Sequence, residues 1–204
     1  MADSTPTKAN LMSAQVSLEL SKKAFELLDR KRNVLIREMM GLVDKARDIQ
    51  ERIDSSFEEA YRALQMANIT LGISEVENIA LSVPEETDFN VRFRSVMGVE
   101  IPEVRYAKED PEPHYSFFHT NAAIDAALVS FHKVKLLLFE LAEIETSIYK
   151  LANEIKKTRK RTNALENIQI PRYRDLVKLI QDQLEEKDRE DFFRLKMVKK
   201  KAGA

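Results

Sequence analysis

One stretch of the sequence has residue types that could bind a polyanion, the run KKTRKR at 156–161. Five of its six residues are basic: Lys156, Lys157, Arg159, Lys160 and Arg161. Clustered lysine and arginine are typical of nucleic-acid contacts and of nuclear-localisation segments. A nucleic-acid-binding domain usually carries a basic excess, whereas this chain has 33 basic and 34 acidic residues and a formal net charge of -1. We therefore predict no nucleic-acid partner.

Residues suited to catalysis or to metal or cofactor binding form no recognisable pattern. The chain has no cysteine, and its four glycines are too dispersed for a phosphate-binding loop. The histidines have no carboxylates at a metal-ligand spacing, and we expect His114 and His119 to be exposed. The acidic run at 185–191 is interleaved with Lys187 and Arg189, which is typical of a solvated helix face. We predict no catalytic residue, no cofactor and no bound metal.

Helix-breaking residues divide the chain into two long arms and a short middle segment. Proline is absent from Thr7 to Val83, and neither proline nor glycine occurs from His114 to Ile170. We therefore predict an N-terminal arm over 1–83, a middle segment over 84–113 and a C-terminal arm over 114–204. The sequence has no apolar run near 18 residues and no signal peptide, which predicts no direct membrane insertion.

The N-terminal arm has the heptad pattern of a coiled coil. Alternate steps of three and four from Leu11 to Ile53 pass through thirteen positions, of which eleven are apolar. The phase then slips by about one residue and continues through Phe57, Ala60 and Leu64. A single helix of about 70 residues would be about 100 Å long, far longer than a globular helix. Such a helix with a narrow apolar stripe requires a partner helix.

The C-terminal arm supplies that partner. Its positions at seam spacing, apolar except for two threonines, are Ile124, Phe131, Val134, Leu138, Leu141, Ile148, Leu151, Ile155, Thr158, Thr162 and Leu165. Within the basic run the seam passes through Thr158 and Thr162, so that the lysines and Arg161 point outward and Arg159 lies at the seam edge. The default interpretation of these outward residues is a solvated charged face, and contact with an acidic or dipole-rich protein surface is the alternative. Pro171 predicts a kink or short break near Ile170. Helical spacing then resumes at Tyr173, Leu176, Ile180 and Leu184.

The middle segment NVRFRSVMGVEIPEVRY alternates apolar and polar residues on both sides of Met97-Gly98. This pattern predicts a short β-hairpin over about 90–106 or a pair of edge strands. Pro102 argues against a fully paired second strand. The following stretch AKEDPEPHY is typical of a solvated connector.

We therefore predict a mainly α fold, a long antiparallel two-helix coiled coil formed by the two arms, with a small β-hairpin in the middle segment. Folding the arms about residue 98 places Leu28 near Ile168 and Met39 near Lys157, within a turn or two. Both termini then lie at one tip and the hairpin at the far end. Residues after about 190 overhang the first helix.

The overhanging C-terminal end DFFRLKMVKKK combines apolar and basic residues. An amphipathic basic helix of this kind can bind an anionic membrane surface. The alternative is an exposed apolar tip in a protein socket. The overhang favours the socket, because the apolar side chains have no partner within this chain.

Three stretches of the sequence resemble the D subunit of V-type and archaeal-type rotary ATPases. They are PTKANL at 6–11, AFELLDRKRNVLIREM at 24–39 and RTNALENIQIPRYRDLVKLIQDQLEEKDREDFFRLKMVKKK at 161–201. The most specific parts are RTNALE followed by Ile170-Pro171, and the run EDFFRLK that begins at Glu190. The resemblance covers both arms.

The resemblance implies a non-catalytic rotor shaft in the central stalk. In that family the paired helices enter a hexamer of alternating A and B subunits, the small F subunit of the stalk binds the shaft, and the far end sits on a funnel subunit above the membrane ring. It also implies a peripheral location on the cytoplasmic face of the membrane. The shaft couples ATP hydrolysis or synthesis in the hexamer to ring rotation and to proton or sodium transport.

The same resemblance implies which residues make contact. The tip at the end of the paired helices comprises Leu11, Met12, Phe192, Phe193, Leu195 and Met197. The basic residues Lys156, Lys157, Arg159, Lys160 and Arg161 lie lower, facing the mouth or the inner surface of the hexamer. The small F subunit binds lower still, along 55–75 and 120–145.

Two other functions remain compatible with the periodicity alone. The first is a free-standing coiled-coil scaffold or adaptor protein, which needs the same heptads. The second is a nucleic-acid-binding coiled coil, in which the basic segment lacks a seam because the helices fork apart. Here the seam runs through the basic segment.

Overall fold

The computed structural model describes residues 5–84, 89–106, 111–118 and 120–202. Its helices and strands are, in chain order, α1 (Lys8–Leu71), α2 (Ile73–Ser82), β1 (Phe89–Val96), β2 (Val99–Tyr106), α3 (Ala122–Ala164) and α4 (Ile170–Ala202), with a π-helical turn at Leu165–Gln169 between α3 and α4. Long helices with one antiparallel hairpin confirm the predicted fold class. Part of the predicted connector, 107–110, and His119 lie outside the described residues, whereas His114 is exposed.

The chain forms two compact units. The terminal unit comprises Met1–Val34 and Ile155–Ala204, and the central unit comprises Leu35–Glu154. Both α1 and α3 contribute residues to each unit. Among the helices of the described residues, none has an apolar stretch long enough to cross a membrane.

In the central unit, α1 packs antiparallel against α3. The core cluster joins Ile49 and Ile53 of α1 to Leu137 and Ile144 of α3. Further along, the ring of Tyr61 meets that of Phe131 edge-on, with 5.8 Å between centroids. These partners lie within a turn or two of the positions predicted by folding the chain about residue 98.

The buried positions differ in phase from the predicted seam at one place. On α1, Ala60 is buried, and Phe57, Leu64 and Leu71 are partly buried and pack against the core clusters, as the slip of one residue after Ile53 predicts. On α3 the buried residue is Leu137, at 8% exposure, whereas the predicted Leu138 is 43% exposed. A step of three rather than four after Val134 gives the observed seam, which then includes Ile144.

The end of the central unit is closed by α2, which the sequence pattern did not separate from α1. Gly72 interrupts the helix with a φ of 91°, a value that glycine adopts without a steric penalty. Val76 of α2 packs with Ala67 and Ile124. Asn121 begins α3, because its side-chain oxygen accepts the N–H of Ala123 at 3.1 Å as an N-cap.

The hairpin lies against the flank of α3, not at the far end of the coiled coil as predicted. The N–H of Val104 donates to Glu143 Oε2 at 2.7 Å, and the ring of Tyr106 lies 5.3 Å from that of Phe139. Lys150 Nζ lies 4.9 Å from the ring centroid of Phe93. The far-end position belongs to α2, since its apolar face covers the ends of α1 and α3.

Within the hairpin, β2 is paired along its whole length, which corrects the expectation based on Pro102. The turn residues Met97 and Gly98 have φ values of 50° and 80°, as a two-residue type I′ turn requires. Val96 and Val99 flank this turn as a hydrogen-bonded pair, and pair types then alternate along the ladder. Pro102, opposite Phe93, therefore occupies a non-hydrogen-bonded position. Its missing N–H would point away from β1, so no ladder bond is lost.

In the terminal unit, small and apolar residues form the buried seam. They are Ala14, Ser21, Thr158, Thr162 and Ile180. The Ser21 hydroxyl donates to the carbonyl of Ser17 at 2.7 Å, which satisfies the buried polar group locally. From 185 to 202 every residue is exposed.

Candidate protein-interaction site

The basic run forms an exposed collar around a buried seam. Lys156, Lys157, Arg159, Lys160 and Arg161 are all exposed, whereas Thr158 and Thr162 are each 1% exposed. The Thr162 hydroxyl donates to the carbonyl of Thr158 at 2.8 Å, so this buried hydroxyl needs no polar partner across the seam. We call the five basic residues the collar.

The collar is a concentrated positive patch. In the described part of the chain, no ion pair neutralises any of its five cations. Exposed long cationic side chains keep their rotamer freedom and remain hydrated. The patch therefore suits contact with an acidic or dipole-rich surface.

The π-helical turn follows the collar directly. Ile170 N–H donates to the carbonyl of Leu165, five residues back rather than the four of an α-helix. Pro171 has no N–H and would clash with the carbonyl four residues before it in a regular helix. The wider turn relieves that crowding, and Asn167 Nδ2 donates to the carbonyl of Asn163 at 3.1 Å. The helix therefore passes the proline without a break.

The turn also holds one residue more than the seam repeat needs. Continuing the alternation of three and four past Leu165 would select Gln169, Arg172, Leu176 and Leu179. Of these, Gln169 and Arg172 are exposed, Leu176 is half-buried and Leu179 is 47% exposed. The positions that lie at the seam are one residue later, and Ile180 is only 2% exposed. The half-buried positions that accompany it are Ile170, Tyr173, Val177 and Leu184. Because a π turn absorbs a single insertion, the seam stays in phase on both sides.

The C-terminal end of α4 carries large apolar side chains into solvent. Phe192, Phe193, Leu195 and Met197 are 67%, 64%, 69% and 59% exposed. Arg194 forms an ion pair with Glu190 at 3.3 Å and another with Asp191 at 3.6 Å, so the charge of Arg194 is satisfied within the helix. Exposed apolar clusters of this kind mark sites of interaction with other proteins.

All eleven predicted contact residues belong to the terminal unit. The collar lies near the end of α3, and the four apolar residues lie in the last turns of α4. Leu11 is half-buried and Met12 exposed in the first turns of α1. The four apolar residues of α4 follow Ile180, the last buried position of the described residues, and therefore lie outside the buried seam. Leu11 lies one turn before Ala14, the first buried position of that seam.

Sequence reasoning missed the residues that hold the hairpin on α3. Glu143 accepts the N–H of Val104, and Glu140 Oε1 lies 3.4 Å from the Tyr106 hydroxyl. Partial burial, followed by the charge of Glu140, raises the pKa of Tyr106. The available signal was weak: Glu140 and Glu143 are an acidic pair three residues apart on the flank of the seam, a place that charged residues commonly occupy.

A second tyrosine at the end of the central unit is also perturbed. The Tyr115 hydroxyl donates to Asp125 Oδ1 at 2.6 Å. Burial, followed by this hydrogen bond, raises the pKa of Tyr115 to about 12. Among the described residues, no group of three or more His, Cys, Asp or Glu is arranged to hold a metal ion.

Two long helices with an interlocked seam, a hairpin on their flank and a solvent-exposed apolar end define a coiled-coil protein of the mainly α class. A family model for the D subunit of ATP synthase matches residues 10–200. The chain belongs to this family, which confirms the resemblance seen in its two arms.

Curated relatives agree with the family model over nearly the full length. The D subunit of the V-type ATP synthase of Thermotoga neapolitana is 47% identical, over 97% of this chain and 98% of that protein. The D subunit of the A-type ATP synthase of Pyrococcus furiosus is 37% identical, over 95% of this chain and 92% of that protein. The protein of the same name from Methanopyrus kandleri is 39% identical, over 98% of this chain and 87% of that protein.

Proposed function

We propose that this chain is the non-catalytic rotor shaft in the central stalk of a V/A-type ATP synthase. It couples ATP hydrolysis or synthesis in the hexamer of A and B subunits to rotation of a membrane ring and to proton or sodium transport. The observation that carries this proposal is the exposed end of α4. Residues 185–202 continue the helix beyond its last buried seam position and present five large apolar side chains, Phe192, Phe193, Leu195, Met197 and Val198.

Torque transmission follows from the construction of a two-helix coiled coil. Each helix has its own backbone hydrogen-bond ladder, and the interlocked seam prevents one helix from sliding along the other. A rotating shaft with an asymmetric cross-section meets each A/B pair differently at each angle. It thereby biases the pair among conformations of different nucleotide affinity, which is a coupling free energy between shaft position and nucleotide binding.

The contact residues divide by chemistry. Leu11, Met12 and the four apolar residues of α4 form the tip that seats in the hexamer. The collar faces the mouth or inner surface of the hexamer, where hydrated cations provide contact without a fixed hydrogen-bond geometry. Because a tight, directional bond would hold the shaft at one angle, a broad charged surface suits a bearing.

The remaining partners bind the central unit. The small F subunit of the stalk binds along 55–75 and 120–145, and a funnel subunit on the membrane ring receives the end that α2 closes. The exposed side chains Ile73, Leu81 and Phe117, at 72%, 82% and 75% exposure, support a protein contact at that end. The assembled chain is then peripheral to the membrane, on its cytoplasmic face.

Removing residues 190–204 tests the proposal. We expect the midpoint of thermal unfolding of the isolated chain to change by less than about 2 °C, because no residue from 185 to 202 is buried. In the assembled complex, we expect ATP hydrolysis to lose its coupling to ion transport. A matched control removes only 202–204, which leaves the four apolar residues in place. Unchanged coupled transport after the longer truncation would overturn the tip assignment.

Co-purification tests the partners separately. A tagged chain recovered under gentle conditions from its own cells should bring down two large ATPase subunits and one small subunit. Recovery of the chain alone would instead support a free-standing coiled-coil scaffold. Titration with duplex DNA at moderate salt provides a further check, and sub-micromolar affinity with a steep salt dependence would contradict the proposal.

A further inference from the structure

The hairpin has one open edge, and that edge belongs to β1. Val96 and Val99 form the hydrogen-bonded pair beside the turn, so the residues of β1 in non-hydrogen-bonded pairs are Phe89, Val91, Phe93 and Ser95. Their N–H and C=O groups point away from β2. Every residue of β1 from Phe89 to Ser95 is exposed, so this row of donors and acceptors faces solvent.

The opposite edge of the hairpin is closed. On β2, the outward position at Pro102 has no N–H, and the outward N–H of Val104 is bonded to Glu143 at 2.7 Å. Pro102 and Ile101 are buried. Proline and a covering helix are the usual means by which an edge strand is protected from pairing with other chains. β1 has neither of them.

The two faces of β1 differ in chemistry. On one face, Phe89, Val91 and Phe93 are 48%, 41% and 62% exposed. This face is turned toward α3, because the ring of Phe89 lies 5.8 Å from that of Phe139 and Lys150 lies over the ring of Phe93. On the other face are Arg92 and Arg94. Among the described residues neither arginine forms an ion pair, and Glu103, the residue opposite Arg92, pairs with Arg105 at 3.6 Å.

We propose that β1 is a docking edge for an extended segment of a partner protein, added as a third strand. The partner segment alternates apolar residues, which lie beside Phe89, Val91 and Phe93 and extend their face along α3, with carboxylates beside Arg92 and Arg94. Main-chain hydrogen bonds supply the attachment and the alternating side chains supply selectivity. A third strand also stabilises the hairpin, because two strands alone are marginally stable.

Charge argues for a partner of this kind over a second copy of the chain. Antiparallel pairing of two β1 strands around Phe93 would set Arg92 of each copy against Arg94 of the other. Like charges directly opposite each other destabilise a sheet. Carboxylates at the same positions form charge-assisted contacts with the guanidinium groups.

The test uses the full-length chain and a fluorescent, capped octapeptide in which valine alternates with glutamate. Val91→Pro removes the outward N–H but leaves the bonds between β1 and β2 intact, as Pro102 does on the other strand. Val91→Thr is the matched control, because it keeps the N–H and the β-branched shape. We expect fluorescence anisotropy to show saturable binding by the wild type and Val91→Thr, and binding weaker by about tenfold or more for Val91→Pro.

A second pair of measurements tests the charge. We expect the double variant Arg92→Glu, Arg94→Glu to bind the valine–glutamate peptide about tenfold more weakly, and to bind a valine–lysine peptide instead. Amide exchange of 89–96 in each free variant verifies that the hairpin is folded. No binding by the wild type, equal binding by Val91→Pro, or equal affinity for the two peptides would overturn the proposal. Sedimentation of the wild type as a dimer that Val91→Pro abolishes would assign the edge to a second copy instead.

Discussion

Two neighbouring residues of α4, Leu179 and Ile180, have opposite surroundings. Ile180 is 2% exposed and Leu179 is 47% exposed, although both are apolar. We expect Ile180→Ala to lower the free energy of unfolding by about 2–5 kcal/mol, because it leaves a cavity in the seam. Leu179→Ala should lower it by less than about 1 kcal/mol. Urea denaturation of the two variants measures the difference, and equal losses would contradict the assigned seam.

At the end of the central unit, Tyr115 makes stability depend on alkaline pH. Its pKa is raised from 10.0 to about 12, because the protonated hydroxyl is partly buried and donates to Asp125. A group with a raised folded-state pKa contributes stability below its unfolded pKa, and this contribution is lost as pH rises through the folded pKa. The loss therefore falls between about pH 10 and 12.

Tyr115→Phe removes this titration. We expect the wild type to lose more thermal stability than Tyr115→Phe between about pH 9 and 12, because only the wild type releases this proton on unfolding. Thermal unfolding followed by circular dichroism at several pH values measures both curves, and the other tyrosines contribute equally to each. Parallel curves would show that the hydrogen bond to Asp125 does not stabilise the fold.

At the scale of elements, the π turn yields a prediction about phase. A double variant in which Gln169 is deleted and Pro171 is replaced by alanine removes both the extra residue and the proline ring that disfavours a regular helix. We expect a continuous α-helix that keeps Ile180 at the seam. Inserting one alanine after Gln169 instead rotates the following helix by about 100° and exposes Ile180.

The absence of native cysteine makes this measurement simple. Single cysteines at 179 and 180 are placed in each background, and their rates of maleimide labelling are compared. In the wild type and in the deletion variant, position 180 should be protected and position 179 reactive. Protection of 180 in the insertion variant, or its labelling in the deletion variant, would show that the turn does not set the phase.

The sequence predicts these elements unevenly, for physical reasons. Heptads identify both long helices because burial on one face imposes a period that apolar residues must follow. The same pattern does not distinguish Leu137 from Leu138, since both are leucine and only the packing against α1 selects one. It also does not place the hairpin, because the bond from Val104 to Glu143 joins residues 39 apart in the chain.

The extra residue at the π turn could have been predicted from the sequence. Gln169 and Arg172 are polar where an unbroken repeat requires apolar residues, whereas Ile170 and Tyr173 are apolar one position later. Pro171 predicts a disturbance of the helix at this place, but proline alone does not tell a break from a widened turn. Local backbone hydrogen bonding decides between them.

For the whole molecule, the collar should matter to the assembled complex and not to the fold. We expect the triple variant Lys156→Glu, Lys157→Glu, Lys160→Glu to lower ATP turnover of the complex by about two- to tenfold, more at low ionic strength. The charge-preserving replacement of the same three lysines by arginine is the control. Both variants should unfold like the wild type as free chains, because the replaced residues are exposed. Equal ATP turnover of the glutamate and arginine variants would show that the collar is not part of the surface that contacts the hexamer.

The sequence predicts which residues of the candidate site are exposed, but it does not predict what they contact. Exposure of the collar follows from its heptad positions, and exposure of the apolar residues of α4 follows from their overhang beyond the first helix. Their partners do not follow, because a surface such as Lys156 or Phe192 is complementary to a shape that lies on another chain. The division of the chain into arm, middle segment and arm likewise stays a prediction about how it assembles.

The exposed end of α4 has a thermodynamic consequence. A helix of about 18 residues without tertiary packing is marginal in water, and here only ion pairs such as Arg194 with Glu190 support it. Part of the binding energy at the apolar side chains must therefore be spent on ordering the segment, which lowers the net affinity. A contact that releases readily after binding would suit the proposed rotor shaft, which must leave one binding surface to meet the next.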